Sequence, residues 1–146
     1  MIRLATPADI PALIELENSA PEAAHWSPST YSALFSPAVP RMVVVAESEG
    51  NVDGFLVARG GSAEWAIENI VVAQNHRRTG LATLLLNELL TKARSQGAKA
   101  LFLEVRESNA AARGFYERSD FRQTGRRPGY YRDPHEDALV YERKLQ

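Results

Sequence analysis

At 146 residues, with a formal charge of −1 and no cysteine, the chain has the length of one hydrophobic core, and residues 1–146 are read as a single domain. The near-neutral charge excludes a global positive field for holding nucleic acid, and the missing cysteines exclude disulfide frameworks, thiolate catalysis and cysteine zinc sites. Hydrophobic residues at 45% and charged residues at 24% are ordinary for a globular protein, no run approaches a membrane span, and Met1-Ile2-Arg3-Leu4 leads into polar and proline residues rather than a signal-peptide core, so a soluble cytoplasmic protein is expected.

Residues 2–4 predict a short strand. Thr6, Pro7 and Asp9 then offer a cap, a proline at the first helical position and an acid three residues after the cap, so a helix follows. Ile10, Leu13 and Ile14 recur at helical spacing, with Glu15 and Glu17 placed elsewhere on the circumference, so this helix buries one apolar face. Residues 19–40 are rich in Pro, Ser and Ala, broken over 29–35 by a short helix that turns Tyr31, Leu34 and Phe35 inward. Residues 42–46, the turn at Glu49-Gly50-Asn51 and residues 52–58 predict a hairpin; after Gly60-Gly61-Ser62 a strand over 65–72 makes it a three-stranded meander.

Residues 80–96 carry Leu81, Leu84, Leu85, Glu88, Leu89 and Lys92 at helical periods and stop at Gly97. A strand over 100–105, a helix over 109–118 and strands over 121–126 and 138–145 complete the chain. The strand-helix-strand order in the middle calls for a right-handed crossover and parallel pairing, so the fold class is mixed α/β.

The polar, basic stretch before the long helix is the first candidate site. Unpaired N–H groups at a helix start, the helix dipole and the freedom of Gly80 suit an anion such as pyrophosphate, and Arg77 and Arg78 would add charge-assisted bonds to its oxygens. Any loop entering a helix can carry arginines and a glycine, so the spacing alone leaves the point open. The Gly-Lys-Ser/Thr ending of a Walker loop and two of the three glycines of a dinucleotide fingerprint are missing.

Arg77-Arg78-Thr79-Gly80-Leu81-Ala82 resembles the Gln/Arg-x-x-Gly-x-Gly/Ala signature of GNAT acetyltransferases, and the element order matches that family's fold: a mostly antiparallel mixed sheet with a central parallel strand pair and flanking helices. The resemblance implies acetyl-CoA as donor, with its pyrophosphate on Arg77, Arg78, Thr79, Gly80, Leu81, Ala82 and Thr83 and its pantetheine arm along Ile70, Val71 and Val72. Further on, Leu101-Phe102-Leu103-Glu104-Val105-Arg106-Glu107-Ser108-Asn109-Ala110-Ala111-Ala112, then Phe115-Tyr116-Glu117, Arg126-Arg127-Pro128-Gly129-Tyr130-Tyr131 and Glu136-Asp137-Ala138, are similar to the ribosomal-protein-alanine N-acetyltransferases of the RimI type. That subgroup implies an acceptor that is the N-terminal α-amino group of a small-subunit ribosomal protein.

Glu104 sits among apolar strand neighbours, where burial would raise its pKa toward that of a general base. On the residues alone a carboxylate satisfied by Arg106 or by a backbone cap is the commoner outcome; the resemblance reverses this and favours the base. Asn109 can cap the helix that carries Tyr116, and seven residues return to nearly the same face, so the two side chains project together. On the residues alone a helix cap and an interfacial tyrosine with a hydrogen-bonded hydroxyl are the commoner fate; the resemblance assigns Asn109 to the donor and Tyr116 to protonation of the departing thiolate. Glu68 is a second candidate base, because other GNAT branches place theirs on this strand, although the RimI type carries an apolar residue there.

On the acceptor side, Trp26-Ser27 resembles the family's Pro-Trp-Ser segment with His25 in place of proline, and Tyr130-Tyr131 its paired tyrosines, so Trp26, Glu68, Tyr130 and Tyr131 are expected to border a peptide groove. His25, His76 and His135 have no metal-ligand spacing, and no metal is expected. Asp120 stands where the family carries a glycine, at a turn position expected to be left-handed. Two other readings stay open: acetylation of a small amine or lysine side chain, and a non-catalytic acyl-CoA sensor or interaction module. Arg118, Arg122, Arg126, Arg127 and Arg132 read as a solvated face rather than a specific RNA contact.

Overall fold

The computed structural model describes residues 1–20, 24, 26–76 and 79–145. Strand β1 (Ile2–Leu4) runs through a 3-10 turn at Pro7–Asp9 into helix α1 (Ile10–Asn18). The Thr6 N–H donates to Asp9 Oδ2 at 2.8 Å, and the Arg3 guanidinium donates to both oxygens of that carboxylate at 2.9 Å. The predicted cap therefore also ties the start of α1 to the first strand.

Helix α2 (Pro28–Ser32) starts at Ser27, whose side chain accepts from the Thr30 N–H. Strands β2 (Arg41–Ser48), β3 (Asn51–Arg59) and β4 (Glu64–Val72) form the predicted antiparallel meander. Positive φ at Glu49 and Gly50 makes the β2–β3 connection a two-residue turn whose twist matches the strands. Helix α3 (Leu81–Ser95) then crosses to β5 (Ala100–Arg106), and α4 (Ala110–Arg118), β6 (Arg122–Tyr131) and β7 (Glu136–Lys144) follow. One seven-stranded sheet results, in the order β1-β2-β3-β4-β5-β7-β6, and β4–β5 is its parallel pair.

Apolar residues fill both faces of the sheet. Leu85, Leu86, Leu89 and Leu90 of α3 and Tyr116 of α4 pack with Val44, Leu56, Trp65, Leu101 and Leu103 on one face. Leu13 of α1 and Tyr31 of α2 pack with Val43, Val45, Phe55, Val57 and Val71 on the other. Each fully buried side chain of this kind contributes about 1.5–3 kcal/mol relative to leaving it in water. Among the described residues, no helix is long and apolar enough to cross a membrane.

Three expectations change. Leu84 is 53% exposed: the buried stripe of α3 runs through Leu85, Leu86, Leu89, Leu90 and Ala93, leaving Leu84 on the outer face with the Glu88–Lys92 pair. Glu17 is buried to 1% exposure, because positions 10, 13, 14 and 17 make one continuous i, i+3, i+4, i+7 stripe to which the carboxylate belongs. Strand β6 runs on to Tyr131, five residues beyond the predicted end, because its pairing on β7 resumes after an irregularity between Arg127 and Tyr131.

Candidate active site

The parallel pair is registered only where Glu64, Trp65 and Ala66 face Ala100, Leu101 and Phe102. Beyond that point β4 continues on β3 alone and β5 on β7 alone, so the sheet opens between its two central strands. The register of β4 on β3 slips where Val57 and Ala58 face Asn69 and Ile67, leaving Glu68 as the extra residue of a bulge. A bulge bends its strand and re-aims the side chains that follow. Ile70, Val71 and Val72 come directly after it, on an edge whose alternate N–H and C=O groups are not used by β5.

Helix α3 begins beside the end of β4. Its N-cap Gly80 has φ +83°, and a Cβ built there would meet nothing within 4 Å. Leu81, Ala82 and Thr83 occupy the first turn, where N–H groups have no intrahelical acceptor, and no acidic residue stands in that turn to compete for them. The Thr79 hydroxyl donates to the His76 carbonyl. A cavity of about 370 Å³ continues from Thr83 between α3 and α4, past Leu86, Asn87, Phe115, Arg118 and Ser119. These features fit an extended anionic ligand: a phosphate group at the helix start and an arm along the free edge of β4. Arg77 and Arg78 lie outside the described residues, as does His25.

On the far side of the opening, Glu104 departs from its expected setting. Strand alternation sends Leu103 and Val105 into the core and leaves Glu104 exposed, so it is not buried. Its partner is also different: Arg127 Nε lies 2.5 Å from Oε2, and the Tyr130 hydroxyl donates to Oε1 at 3.4 Å. Arg106 instead donates to the carbonyls of Arg132 and Pro134 and lies 4.4 Å over the Tyr131 ring. Tyr130 and Tyr131 stack edge to face at 5.1 Å, held beside Glu104 by the β6–β7 connection.

Tyr116 packs edge-on between Phe115 and Phe121, at 5.2 and 5.4 Å. Burial, with a smaller contribution from Tyr131, raises its pKa well above the ordinary tyrosine value. Burial, then the negative charge of Glu104, pushes Tyr131 up to about 12. Asn109 caps α4 as expected, its side-chain oxygen accepting from the Ala112 N–H at 3.2 Å. Asp120 has φ +68°, the left-handed conformation expected there, and its N–H donates to the Glu117 carbonyl at 3.3 Å.

The profile described as the Acetyltransferase (GNAT) family matches residues 10–121. The chain belongs to the GNAT acetyltransferase family. It is an N-acetyltransferase, and its relatives narrow the comparison. It is 30% identical over 141 residues to the [ribosomal protein bS18]-alanine N-acetyltransferase of Salmonella typhimurium, covering 95% of this chain and 93% of that protein. With the Escherichia coli K12 protein of the same name it shares 31% identity over 134 residues, 90% and 88% of the two chains. The crystal structure of the Escherichia coli ribosomal-protein-S18-alanine N-acetyltransferase superimposes with a TM-score of 0.86 at 28% identity, covering 100% of this chain and 94% of that one.

Glu68 of this GNAT enzyme is not free: Arg41 Nε lies 2.8 Å and Arg59 Nη2 3.1 Å from its two oxygens, and the side chain is 15% exposed. Trp26 stacks edge-on to buried Tyr31 at 5.6 Å. Among the described residues no three His, Asp or Glu side chains converge as metal ligands would. Sequence reasoning placed Arg127 in the RimI-like stretch and on a solvated basic face but gave it no contact with Glu104; that contact depends on the irregular pairing of β6 on β7 between Arg127 and Tyr131, which strand alternation does not foretell. It also missed the buried contact of Glu17 with Asn69, at 3.0 Å between Oε1 and Nδ2, for which the helical spacing of Glu17 was the available signal.

Proposed function

We propose that this enzyme transfers acetyl from acetyl-CoA to a protein N-terminal α-amino group, with the N-terminal alanine of a small-subunit ribosomal protein as its acceptor. The carrying observation is the opening between β4 and β5, which has the free edge of Ile70, Val71 and Val72 on one side and Glu104 with Tyr130 and Tyr131 on the other. The two named bS18-alanine acetyltransferases support the choice of acceptor.

Acetyl-CoA supplies a thioester carbonyl and a thiolate leaving group. Arg77, Arg78 and the main chain from Thr79 to Thr83 would hold its pyrophosphate, with Asn109 at the α4 side of the arm. An N–H from the Ile70, Val71 and Val72 edge would polarise the carbonyl oxygen. A protein α-amino group has a pKa of about 8 and is mostly protonated at neutral pH, so a base must take its proton before it attacks. Glu104 takes that role, directly or through a water, when the acceptor displaces its contacts with Arg127 and Tyr130. Tyr116, kept protonated by burial, gives its proton to the leaving sulfur. Trp26, Tyr130, Tyr131 and Glu68 border the acceptor. The reaction is carried out in the cytoplasm within one domain.

The test is acetyl transfer to a peptide with a free N-terminal alanine, compared with N-blocked lysine peptides, polyamines and aminoglycosides. Label on the α-amine supports the reading. Label on side-chain or small amines assigns a different acceptor, and acetyl-CoA binding without transfer to any of them assigns a sensor.

A further inference from the structure

Glu17 is the one carboxylate of the core among the described residues, at 1% exposure against an apolar cluster of α1, α2, β2, β3 and β4 side chains. Nothing in the acetyl-transfer chemistry uses it. Its Oε1 accepts from Nδ2 of Asn69 at 3.0 Å, and Asn69 is itself 7% exposed. A buried carboxyl and a buried amide in an apolar layer are retained only where each satisfies the other.

The position of Asn69 gives the pair its meaning. Trp65 and Ile67 precede the bulge and belong to the cluster under α3; after it, Ile70 and Val72 pack against that same cluster and Val71 faces α1. The side-chain alternation of β4 is therefore shifted by one residue at Glu68, and Asn69 is the first residue of the shifted register, opposite Val57. The strand has lost its β5 neighbour by this point, so half of its ladder is absent where its direction matters most. The tie from α1 to Asn69 replaces that missing constraint.

We propose that Glu17 is a positioning residue: through Asn69 it locks the register shift of β4 and so aims the main-chain N–H groups of Ile70, Val71 and Val72 into the opening. The inference rests on the acetyl-transfer reading above, in which that edge polarises the thioester carbonyl. Small displacements of such a donor lower the rate of the chemical step far more than they lower binding.

Three variants of the full chain test it: Glu17→Gln, Glu17→Leu, and Glu17→Leu combined with Asn69→Leu. Glutamine keeps an oxygen that accepts the Asn69 bond, and its kcat stays within about twofold of the starting enzyme. Glu17→Leu strands the amide, lowering kcat roughly tenfold to a hundredfold with acetyl-CoA Kd changed by less than about threefold. In the double variant the carboxyl and the amide are both gone and the buried Tyr31 hydroxyl stays without a partner among the described residues, so the melting temperature recovers in part, while kcat stays low and peptide-resolved hydrogen exchange of residues 68–72 stays fast. Recovery of kcat together with melting temperature in the double variant would overturn the proposal, as would unchanged exchange at 68–72 in Glu17→Leu. The exchange readout needs no acceptor, so it decides the positioning role even if the unaltered enzyme transfers nothing to the alanine peptide, which is the outcome that would sink the function instead.

Discussion

Arg127 Nε lies 2.5 Å from one oxygen of Glu104, and the Tyr130 hydroxyl reaches the other at 3.4 Å, so a single strand, β6, holds both oxygens of the proposed base. The Arg127 side chain is 59% exposed, and an ion pair so open to water stabilises by about 1 kcal/mol or less. Glu104→Gln should therefore leave urea unfolding nearly unchanged and lower kcat by about a hundredfold or more. A variant with unchanged kcat would remove the base role.

Glu68 makes the opposite case. With its oxygens held by Arg41 and Arg59 and only 15% of the side chain exposed, its loss leaves two guanidinium groups short of a partner. Glu68→Gln should lower stability by about 1–3 kcal/mol with kcat retained within a few-fold. Comparing kcat and unfolding midpoint for the two glutamine variants separates the candidate bases, and a larger kcat loss in Glu68→Gln would exchange their roles.

Tyr116→Phe removes one oxygen from a site that already packs on Phe115 and Phe121, so the fold should tolerate it. Turnover in a single-turnover assay should fall by about a hundredfold or more, with acetyl-CoA affinity nearly unchanged. Equal turnover would remove the acid role.

Much of this arrangement was legible from residue patterns because the deciding forces were local. The turn at Glu49 and Gly50, the stop at Gly97 and the left-handed Asp120 depend on the backbone freedom of a few neighbours, and the strand-helix-strand order required the parallel pair. What was not legible depended on partners distant in sequence. Glu104 seemed buried because its neighbours are apolar, whereas a two-residue period faces it the other way; its contact with Arg127 depends on how far β6 extends along β7. Glu17 reads as a surface acid until Asn69, 52 residues away, is seen to satisfy it. The bulge at Glu68 leaves no signal in an alternating strand until its partner register is known.

Alkaline pH provides a further test. Burial raises the pKa values of Tyr31 and Tyr116, and that of Tyr131 to about 12, so the fold favours their neutral forms. In the unfolded chain tyrosine ionises near pH 10. Their contribution to stability is thus complete below about pH 10 and is lost as pH rises toward the folded values. Tyrosinate absorbance should lag behind free tyrosine above pH 10 and then rise together with loss of structure. Reversible ionisation of all five tyrosines near pH 10 in the folded protein would contradict these environments.

Gly80→Ala separates conformation from contact. The φ of +83° strains any residue with a Cβ, by about 1–2 kcal/mol, yet the new atom meets nothing in the protein. The fold should survive with slightly lower stability, while acetyl-CoA binding weakens roughly tenfold because the methyl stands where the phosphates approach. Calorimetric titration of acetyl-CoA measures this, and unchanged affinity would move the donor away from the start of α3.

The most direct measurement of the central claim is mass spectrometry of peptides with free N-termini after incubation with the enzyme and acetyl-CoA, with the modified nitrogen located by fragmentation. The account predicts acetyl on the α-amino group of alanine-initiated peptides, greatly reduced with Tyr116→Phe enzyme. Acetyl found only on lysine side chains, or equal labelling by the Tyr116→Phe enzyme, would contradict it.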